Sequence, residues 1–225
     1  MSETLELSCE LSQELDEACA RLDRADPNEI ISWCIKRFSG DVALACSFQD
    51  AALLDMVVKL EPSIEVIFAD TGFHFPETLA YLERLRQRYA LNLVVTDPGL
   101  RPDEFPCGAT RCCEMRKVAP MDKALRGHSA WITGLKRVDT PERAEARVIA
   151  WDPNRNMVKV NPVAAWADND IEAYVTAHDL LRHPLSDQGY LSIGCAPTTI
   201  AVPEGSHPRE GRWAGTDKTE CGLHI

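Results

Sequence analysis

The chain has 225 residues, which suits one α/β domain with a sizeable core and is short for two domains. Its formal net charge of −11 argues against general nucleic-acid binding, which needs a basic patch. No apolar run is long enough to cross a bilayer, and the acidic N-terminus lacks the parts of a signal peptide, so we expect a cytoplasmic protein with no membrane partner.

The spacing of apolar residues predicts helices that alternate with short apolar strands. From the N-terminus the predicted elements are a helix from about 26 to 38, strand 41–48, helix 49–60, strand 64–70, helix 76–89, strand 91–96, helix 113–126, strand 130–134 and a helix from a capping Asp168 to about 180. This alternation indicates an α/β fold with a parallel sheet covered on both faces. Ligands bind at the carboxyl ends of such strands, so segments 47–50, 70–73 and 134–137 are expected to line a pocket.

The sequence has nine cysteines and no secretion signal, which favours metal, redox or nucleophilic roles over a disulfide framework. Two adjacent cysteines, Cys112 and Cys113, rarely bond to each other, but both can ligate a centre that contains several iron ions. Four other cysteines lie in helical or strand segments and are expected to be buried and inert: Cys9, Cys19, Cys34 and Cys46.

Cys221 lies in the last few residues of the sequence, within a segment rich in Gly, Pro and charge that begins near residue 183. A mobile thiol of this kind can enter a pocket and is reactive where basic residues favour the thiolate. Taken alone, Cys221 is equally compatible with an unimportant tail thiol, and Cys112-Cys113 with burial.

The combination of motifs is more specific than its parts. From about residue 41 to the C-terminus it comprises the segments 47–50, 70–78, 112–117, 131–137, 160–162, 187–195, 209–213 and 220–224. In these segments the sequence resembles the assimilatory sulfonucleotide reductases, which reduce adenosine 5′-phosphosulfate (APS) or its 3′-phosphorylated form (PAPS), and it is closer to the iron–sulfur APS reductases.

The resemblance implies an N-type ATP pyrophosphatase-like fold, also called adenine nucleotide alpha hydrolase-like, with a C-terminal catalytic tail. It divides one globular unit into a helical segment at 1–40, a nucleotide-binding α/β domain at 41–182, and a cluster-proximal segment with the catalytic tail at 183–225. The implied substrate-binding residues are Ser47 and Asp50 of a modified phosphate loop, the nucleotide-contacting Asp70, Thr71 and Gly72, and the basic Lys117, Arg137, Arg209 and Arg212.

The implied mechanism uses Cys221 as the catalytic nucleophile. Its thiolate attacks the sulfur of the phosphosulfate, AMP leaves, and a thiosulfonate forms on Cys221. A thiol of thioredoxin or a similar dithiol reductant then releases sulfite. We expect His224 to position the tail rather than to act as a base.

The resemblance also implies a [4Fe-4S] cluster on Cys112, Cys113 and Cys195, but the position of the fourth ligand holds Thr198. Threonine is a poor ligand for iron. The alternatives left open are a cluster with a non-protein or Thr198 ligand at one iron, a three-iron form, a position altered by engineering, or substitution by Cys107, the nearest other cysteine.

The retained cysteines favour APS as substrate, whereas the pair Thr198-Thr199 is typical of PAPS reductases, which lack the cluster. A second alternative is an adenylating ligase of the same fold, but residues 47–50 lack the glycines of its pyrophosphate loop. A third is a non-catalytic metal-binding module, in which Cys221 would be dispensable.

Overall fold

The computed structural model describes residues 6–216 and 218–224. Within these residues lie the α-helices α1 Cys9–Leu22, α2 Pro27–Arg37, α3 Ala52–Leu60, α4 Pro76–Tyr89, α5 Ala119–Ala124 and α6 Asp168–Ala177. The strands of the same part of the chain are β1 Val42–Ala45, β2 Glu65–Ala69, β3 Asn92–Thr96, β4 Ala130–Thr133, β5 Ile149–Asp152 and β6 Met157–Val160.

The strands form one sheet in the order β3-β2-β1-β4-β6-β5. β1 is central, with Leu44 opposite Val66 of β2 on one side and opposite Ile132 of β4 on the other. Neighbouring strands are parallel except β5 and β6, which form an antiparallel hairpin. The predicted α/β fold with a parallel sheet is confirmed, and the hairpin at one edge is an addition that the sequence analysis did not predict.

Helices cover both faces of the sheet, because successive side chains of each strand point to opposite sides. Leu44 and Val66 join a large apolar cluster with residues of α1, α2, α3, α4 and α6. Ala43 and Ile67 join a smaller cluster with α5 and with Leu223 from the end of the chain. The C-terminal tail is therefore part of the cover on the second face of the sheet.

Local sequence explains why two of the helices begin where they do. Ser8 accepts a hydrogen bond from the Leu11 amide at 3.1 Å and caps α1. Asp26 accepts one from the Asn28 amide at 2.8 Å, and Pro27 occupies the first turn of α2, where a missing N–H costs nothing.

The predicted helix at 113–126 is divided into a π-helical turn, Glu114–Val118, and α5. Pro120 gives the reason. It has no N–H for the carbonyl four residues earlier, that of Arg116, and its ring crowds that carbonyl, so an ordinary α-helical turn cannot continue through it.

Three further predictions are corrected by the structure. Asp168 does not cap α6 but is its first residue, and Ala167 precedes it with an amide that donates to Asp170 at 2.7 Å. The predicted helix at 49–60 begins only at Ala52. Cys9 is exposed because it faces solvent at the start of α1, whereas Cys19 and Cys34 are buried, and Cys46 is partly buried.

A search of the described residues finds no helix both long enough and apolar enough to cross a membrane.

Candidate active site

A cavity opens at the carboxyl ends of β1, β2 and β4, where the loops that follow these strands meet. The strand order reverses at β1, which has β2 on one side and β4 on the other. Such a switch point is where open parallel sheets bind ligands. The C-terminal segment closes the cavity from the opposite side, with Cys195, Arg212 and Cys221 among the lining residues.

The loop after β1 carries Ser47 and Asp50 to the cavity. Phe48 between them is buried and has a φ of 53°, a left-handed conformation that a phenylalanine adopts only where its surroundings hold it. Asp50 accepts a hydrogen bond from the Ala52 amide at 2.9 Å, at the start of α3. The positive end of the α3 dipole therefore faces the cavity, an arrangement that favours an anion.

Asp50 is a partly buried acid beside the N-terminus of α3. Burial raises the pKa of its carboxyl, while the Ala52 amide and the nearby Lys136 act in the opposite direction. Lys136 itself forms ion pairs with Asp168 and, at 3.5 Å, with Asp139. These acids and the lysine form a polar wall beside the loop after β1.

The loop after β2 is a tight turn. Asp70 accepts a hydrogen bond from the Gly72 amide at 2.8 Å, and Gly72 has a φ of 75°. Of the three residues predicted here, Thr71 lines the cavity, while Asp70 and Gly72 form the turn and are not part of the lining. The Ala196 amide donates to the carbonyl of Phe73 at 2.7 Å, which attaches the C-terminal segment to this loop.

Basic side chains line the side of the cavity formed by the C-terminal segment. Arg212 donates to Ser192 Oγ and to the carbonyl of Ile193, both at 3.3 Å, and its guanidinium lies over the Trp213 ring. Gly194 leaves room for it, since a Cβ at this position would collide with the Arg212 guanidinium. The lining includes seven Lys and Arg residues: Arg116, Lys117, Lys136, Arg143, Arg209, Arg212 and Lys218.

Arg209 has an unused hydrogen-bond donor. Among the described residues its Nε atom is buried without a hydrogen-bond partner. A buried donor of this kind costs free energy until an acceptor reaches it. An anionic group that enters the cavity beside Arg209 would supply that acceptor.

Arg137, which we predicted to contact the substrate, lies away from the cavity lining. Its guanidinium pairs with Asp23 after α1 and donates to the carbonyl of Ala146 at 2.8 Å. The preceding residue, Lys136, faces the cavity instead. The two side chains point apart because the chain turns directly after β4.

Four cysteines and Thr198 line one wall of the same cavity: Cys107, Cys112, Cys113 and Cys195. Cys107 Sγ lies 3.5 Å from Thr198 Oγ1, and Cys195 Sγ lies 3.4 Å from Thr71 Oγ1. The neighbouring Cys107 thiol and the Thr71 hydroxyl lower the pKa of the Cys195 thiol, against the opposing effect of burial. We call this group the cysteine wall.

The donor chemistry of the cysteine wall fits an iron–sulfur cluster, which is held by four thiolates on different irons. Among the described residues, no group of three or more His, Cys, Asp or Glu side chains is arranged to hold a single metal ion. The predicted ligands Cys112, Cys113 and Cys195 are thus brought together on one wall, with Thr198 beside them.

The C-terminal tail brings Cys221 to the cavity and is held there by ion pairs. Glu220 accepts hydrogen bonds from Arg143 at 2.5 and 2.7 Å and from Thr140 at 3.0 Å, and it lies 3.6 Å from Arg209. The side chains of Glu220 and Arg143 are only 3% and 7% exposed, so this pair is buried.

Two contacts beyond Cys221 complete the docking of the tail. The His224 ring stacks on Trp131 of β4, with centroids 5.9 Å apart, and the His224 carbonyl accepts from Lys159 at 3.3 Å. Burial alone would raise the pKa of Cys221, but Lys117, the Leu223 amide and Arg212 outweigh it, and the pKa is lowered. The docked thiol is therefore biased toward the thiolate.

Lys136 lies in a segment that was predicted to line the pocket but was not named as a binding residue, and Arg143 was not predicted at the cavity at all. Lys136 stood next to a predicted residue, but only the geometry of the strand end shows which neighbour faces inward. Arg143 lies in an irregular segment between β4 and β5 and belongs to no motif that would have marked it.

Comparison with known proteins places these observations in a family. The Phosphoadenosine phosphosulfate reductase domain family matches residues 41–201. The chain is 41% identical to an adenosine 5′-phosphosulfate reductase of Mycolicibacterium smegmatis, over 96% of this chain and 95% of that protein. It is 40% identical to one of Mycobacterium tuberculosis, over 91% of each.

Solved structures show the same fold at lower identity. A phosphoadenylyl-sulfate reductase from Candida auris has a TM-score of 0.73 at 24% identity, covering 88% of this chain and all of that one. An FMN adenylyltransferase from Candida glabrata has a TM-score of 0.62 at 15% identity, covering 92% of this chain and 76% of that one. The fold thus also serves nucleotide chemistry of a different kind.

Proposed function

Because the chain belongs to the Phosphoadenosine phosphosulfate reductase domain family, we propose that it reduces adenosine 5′-phosphosulfate to sulfite and AMP in assimilatory sulfate reduction. The observation that carries the proposal is the docked tail. It holds Cys221 at a cavity that already combines the α3 N-terminus with a group of cations.

In the proposed reaction the Cys221 thiolate attacks the sulfur of the phosphosulfate. A bond forms between the two sulfurs, and the bond from sulfur to the bridging phosphate oxygen breaks. Its electron pair leaves with AMP, and a thiosulfonate remains on Cys221.

The cations supply the electrostatic part of this step. Lys117, Arg209 and Arg212 line the cavity around Cys221 and are placed to neutralise the charge that develops on the leaving phosphate. Ser47 and Thr71 are proposed to contact the nucleotide from the strand ends. Asp70 and Gly72 act through the turn that presents Thr71.

The second half of the reaction needs a dithiol, and we propose thioredoxin or a similar protein. One of its thiolates attacks Cys221 Sγ, sulfite leaves with the electron pair of the sulfur–sulfur bond, and a mixed disulfide forms. The second thiol of the reductant resolves this disulfide and regenerates the Cys221 thiol. The free thiols of the chain suit a reducing compartment such as the cytoplasm.

We propose an iron–sulfur cluster on Cys112, Cys113 and Cys195. When bound, it would place a charged inorganic group beside the phosphosulfate and alter the electrostatics there. Contacts within the chain position the cysteine wall. Cys195 forms a hydrogen bond with Thr71, and Lys117 follows the cysteine pair within the π-helical turn.

A PAPS reductase is the second candidate, and the pair Thr198-Thr199 is the observation that favours it. The identity of about 40% to curated APS reductases over nearly the whole chain favours APS. Sulfite release from APS and from PAPS, measured in parallel under anaerobic conditions with thioredoxin, distinguishes the two candidates.

The same assay tests the nucleophile. We expect Cys221→Ser to lower sulfite release by more than about a thousandfold, because an alcohol cannot replace the thiolate, while AMP binding by calorimetry stays unchanged. The matched control is Cys9→Ser, which removes an exposed thiol far from the cavity. A Cys221→Ser protein with residual turnover near the wild-type rate would end the proposal.

A further inference from the structure

We propose that Cys107 is the fourth thiolate ligand of the iron–sulfur cluster and replaces the residue at position 198 in that role. The inference rests on the proposed function, which includes a cluster on the cysteine wall. It selects Cys107 from the alternatives that the sequence left open and assigns it a ligand role beside Cys112, Cys113 and Cys195.

The first observation is where Cys107 lies. Its Sγ atom is 3.5 Å from the hydroxyl of Thr198, so a sulfur stands beside the position where the fourth ligand is expected. Both residues line the cavity together with Cys112, Cys113 and Cys195. Iron prefers the soft thiolate to a hydroxyl, so Cys107 is the better donor at this point.

The second observation is that the loop carrying Cys107 packs directly on residue 198. A Cβ added at Gly108 would lie 3.3 Å from Thr198 Cγ2 and equally close to Thr216 Cγ2. Gly108 also has a φ of 87°, which favours glycine. Because Gly108 has no side chain, the backbone at this position lies closer to Thr198 than another residue would allow.

The third observation is that a buried arginine holds the loop before Cys107 in place through hydrogen bonds. Arg116 is 2% exposed and donates to the carbonyls of Arg101, Glu104, Phe105 and Thr71. Its guanidinium also lies over the Phe73 ring. One side chain therefore attaches the loop before Cys107 to the turn that contacts Cys195.

The backbone on either side of Cys107 is strained, which indicates that its surroundings hold the loop in one conformation. Phe105 and Arg111, on either side of it, have φ values of 52° and 63°. Left-handed conformations at such residues cost about 1 kcal/mol or more each and persist where the surroundings require them. Lys218 of the tail adds a hydrogen bond to the carbonyl of Ala109 at 2.9 Å.

The remaining cysteines do not compete for this place. Cys19 and Cys34 are buried within helices, and Cys9 is exposed at the start of α1. Cys46 lines the cavity, but from the end of the central strand, where its amide bonds to the carbonyl of Ile67 at 3.0 Å. Cys46→Ser is therefore the variant that tests the alternative ligand.

The test measures iron and acid-labile sulfide per chain after anaerobic reconstitution with iron(II) and sulfide, followed by desalting. We expect about four of each in the wild type, a loss of about half or more in Cys107→Ser, and wild-type content in Thr198→Val. Cys107→Ser/Thr198→Cys should regain the wild-type content, which shows that the single variant folds and lacks only a ligand. Cys9→Ser is the matched control.

Full iron and sulfide in Cys107→Ser would overturn the inference, as would a loss confined to Cys46→Ser. A wild type without iron that still releases sulfite from APS would overturn it while leaving the proposed reaction intact. A wild type that holds iron but releases no sulfite from either nucleotide would count against the proposed function, and the iron content of Cys107→Ser would still decide the role of Cys107.

Discussion

The sheet and the C-terminal segment of this molecule are held in place by different forces. The sheet is held by apolar packing: Leu44, Val66, Ile67 and Ile132 are fully buried in its central strands. After α6 the described residues form only short helical turns and no strand, and beside a few buried apolar side chains such as Leu223 the segment is attached by single polar contacts. Among these are Gln49 to Ile193, Phe73 to Ala196 and Arg143 to Glu220.

Apolar packing is non-directional and is lost only when much of the structure opens, whereas a few ion pairs can break and re-form locally. The sheet and the C-terminal segment therefore have different tasks. The sheet presents strand-end loops in fixed positions, and the tail holds Cys221 at them through contacts that can open locally.

The largest effect is expected at the ion pair that docks the tail. Arg143→Ala leaves Glu220 buried without its main partner, and breaking a buried pair in this way costs about 3–5 kcal/mol. We expect the docked tail to be largely lost and sulfite release to fall by about a hundredfold or more. Hydrogen exchange should increase in residues 218–224 and remain slow in β1 and β2.

Arg147→Ala is the matched control for this variant. The Arg147 pair with Asp16 is 47% and 62% exposed and should contribute less than about 1 kcal/mol. Equal losses of activity in the two variants, or equally faster exchange in β1, would remove the distinction between tail and sheet.

An intermediate effect is expected where the C-terminal segment joins α4. The Leu185 amide donates to His183 Nδ1 at 3.1 Å, so Nε2 carries the proton toward Thr78 Oγ1 at 3.0 Å, and burial lowers the pKa of His183 to about 4. The unfolded chain binds this proton near pH 6.5. The unfolded state therefore gains protons first, and stability falls as pH drops from about 6.5 toward 4.

Urea unfolding between pH 7 and pH 5 measures this dependence. The wild type should lose more stability over the range than His183→Gln, which has no proton to gain. His178→Gln, at an exposed position after α6, should follow the wild type. Parallel pH profiles for the wild type and His183→Gln would show that His183 does not control acid stability.

The smallest effect is expected for Arg137, a predicted substrate-binding residue that does not line the cavity. Arg137→Ala loses a partly exposed pair with Asp23, which contributes less than about 1 kcal/mol, and we expect the KM for APS to change less than about twofold. Lys136→Ala, which alters the cavity wall, should raise the KM by about tenfold or more. A rise in KM in Arg137→Ala as large as in Lys136→Ala would return Arg137 to the site.

Much of the fold was predictable because periodicity and caps are local. The helix at 76–89 was predicted with its observed bounds, since Pro76 starts it and no competing signal interrupts it. The hairpin of β5 and β6 was missed because its strands contain Asp152 and Lys159 and so lack the continuous apolar run that marked β1 and β4, which are equally short. The π-helical turn depends on Pro120, whose effect on the preceding carbonyl is not visible as a pattern.

The site was predictable where motifs fall at the carboxyl ends of parallel strands, because these ends lie close together. Ser47, Thr71, Lys117 and Cys221 meet at one cavity, as expected for residues at strand ends and on a returning tail. Which of two neighbouring basic residues faces inward after β4 depends on a turn that sequence does not specify. The roles of these residues, and the division at residues 40 and 182, stay predictions.

Cys221 faces inward when the tail is docked, which has a consequence for the order of events. In the proposed reaction this one thiol meets two very different partners: a nucleotide inside the cavity, and a protein reductant that is too large to enter it. The tail would therefore act as a carrier arm that takes the sulfonate group out of the cavity before the reductant receives it. The two partners would meet Cys221 one after the other, so the thiosulfonate forms without the reductant and the release of sulfite waits for it.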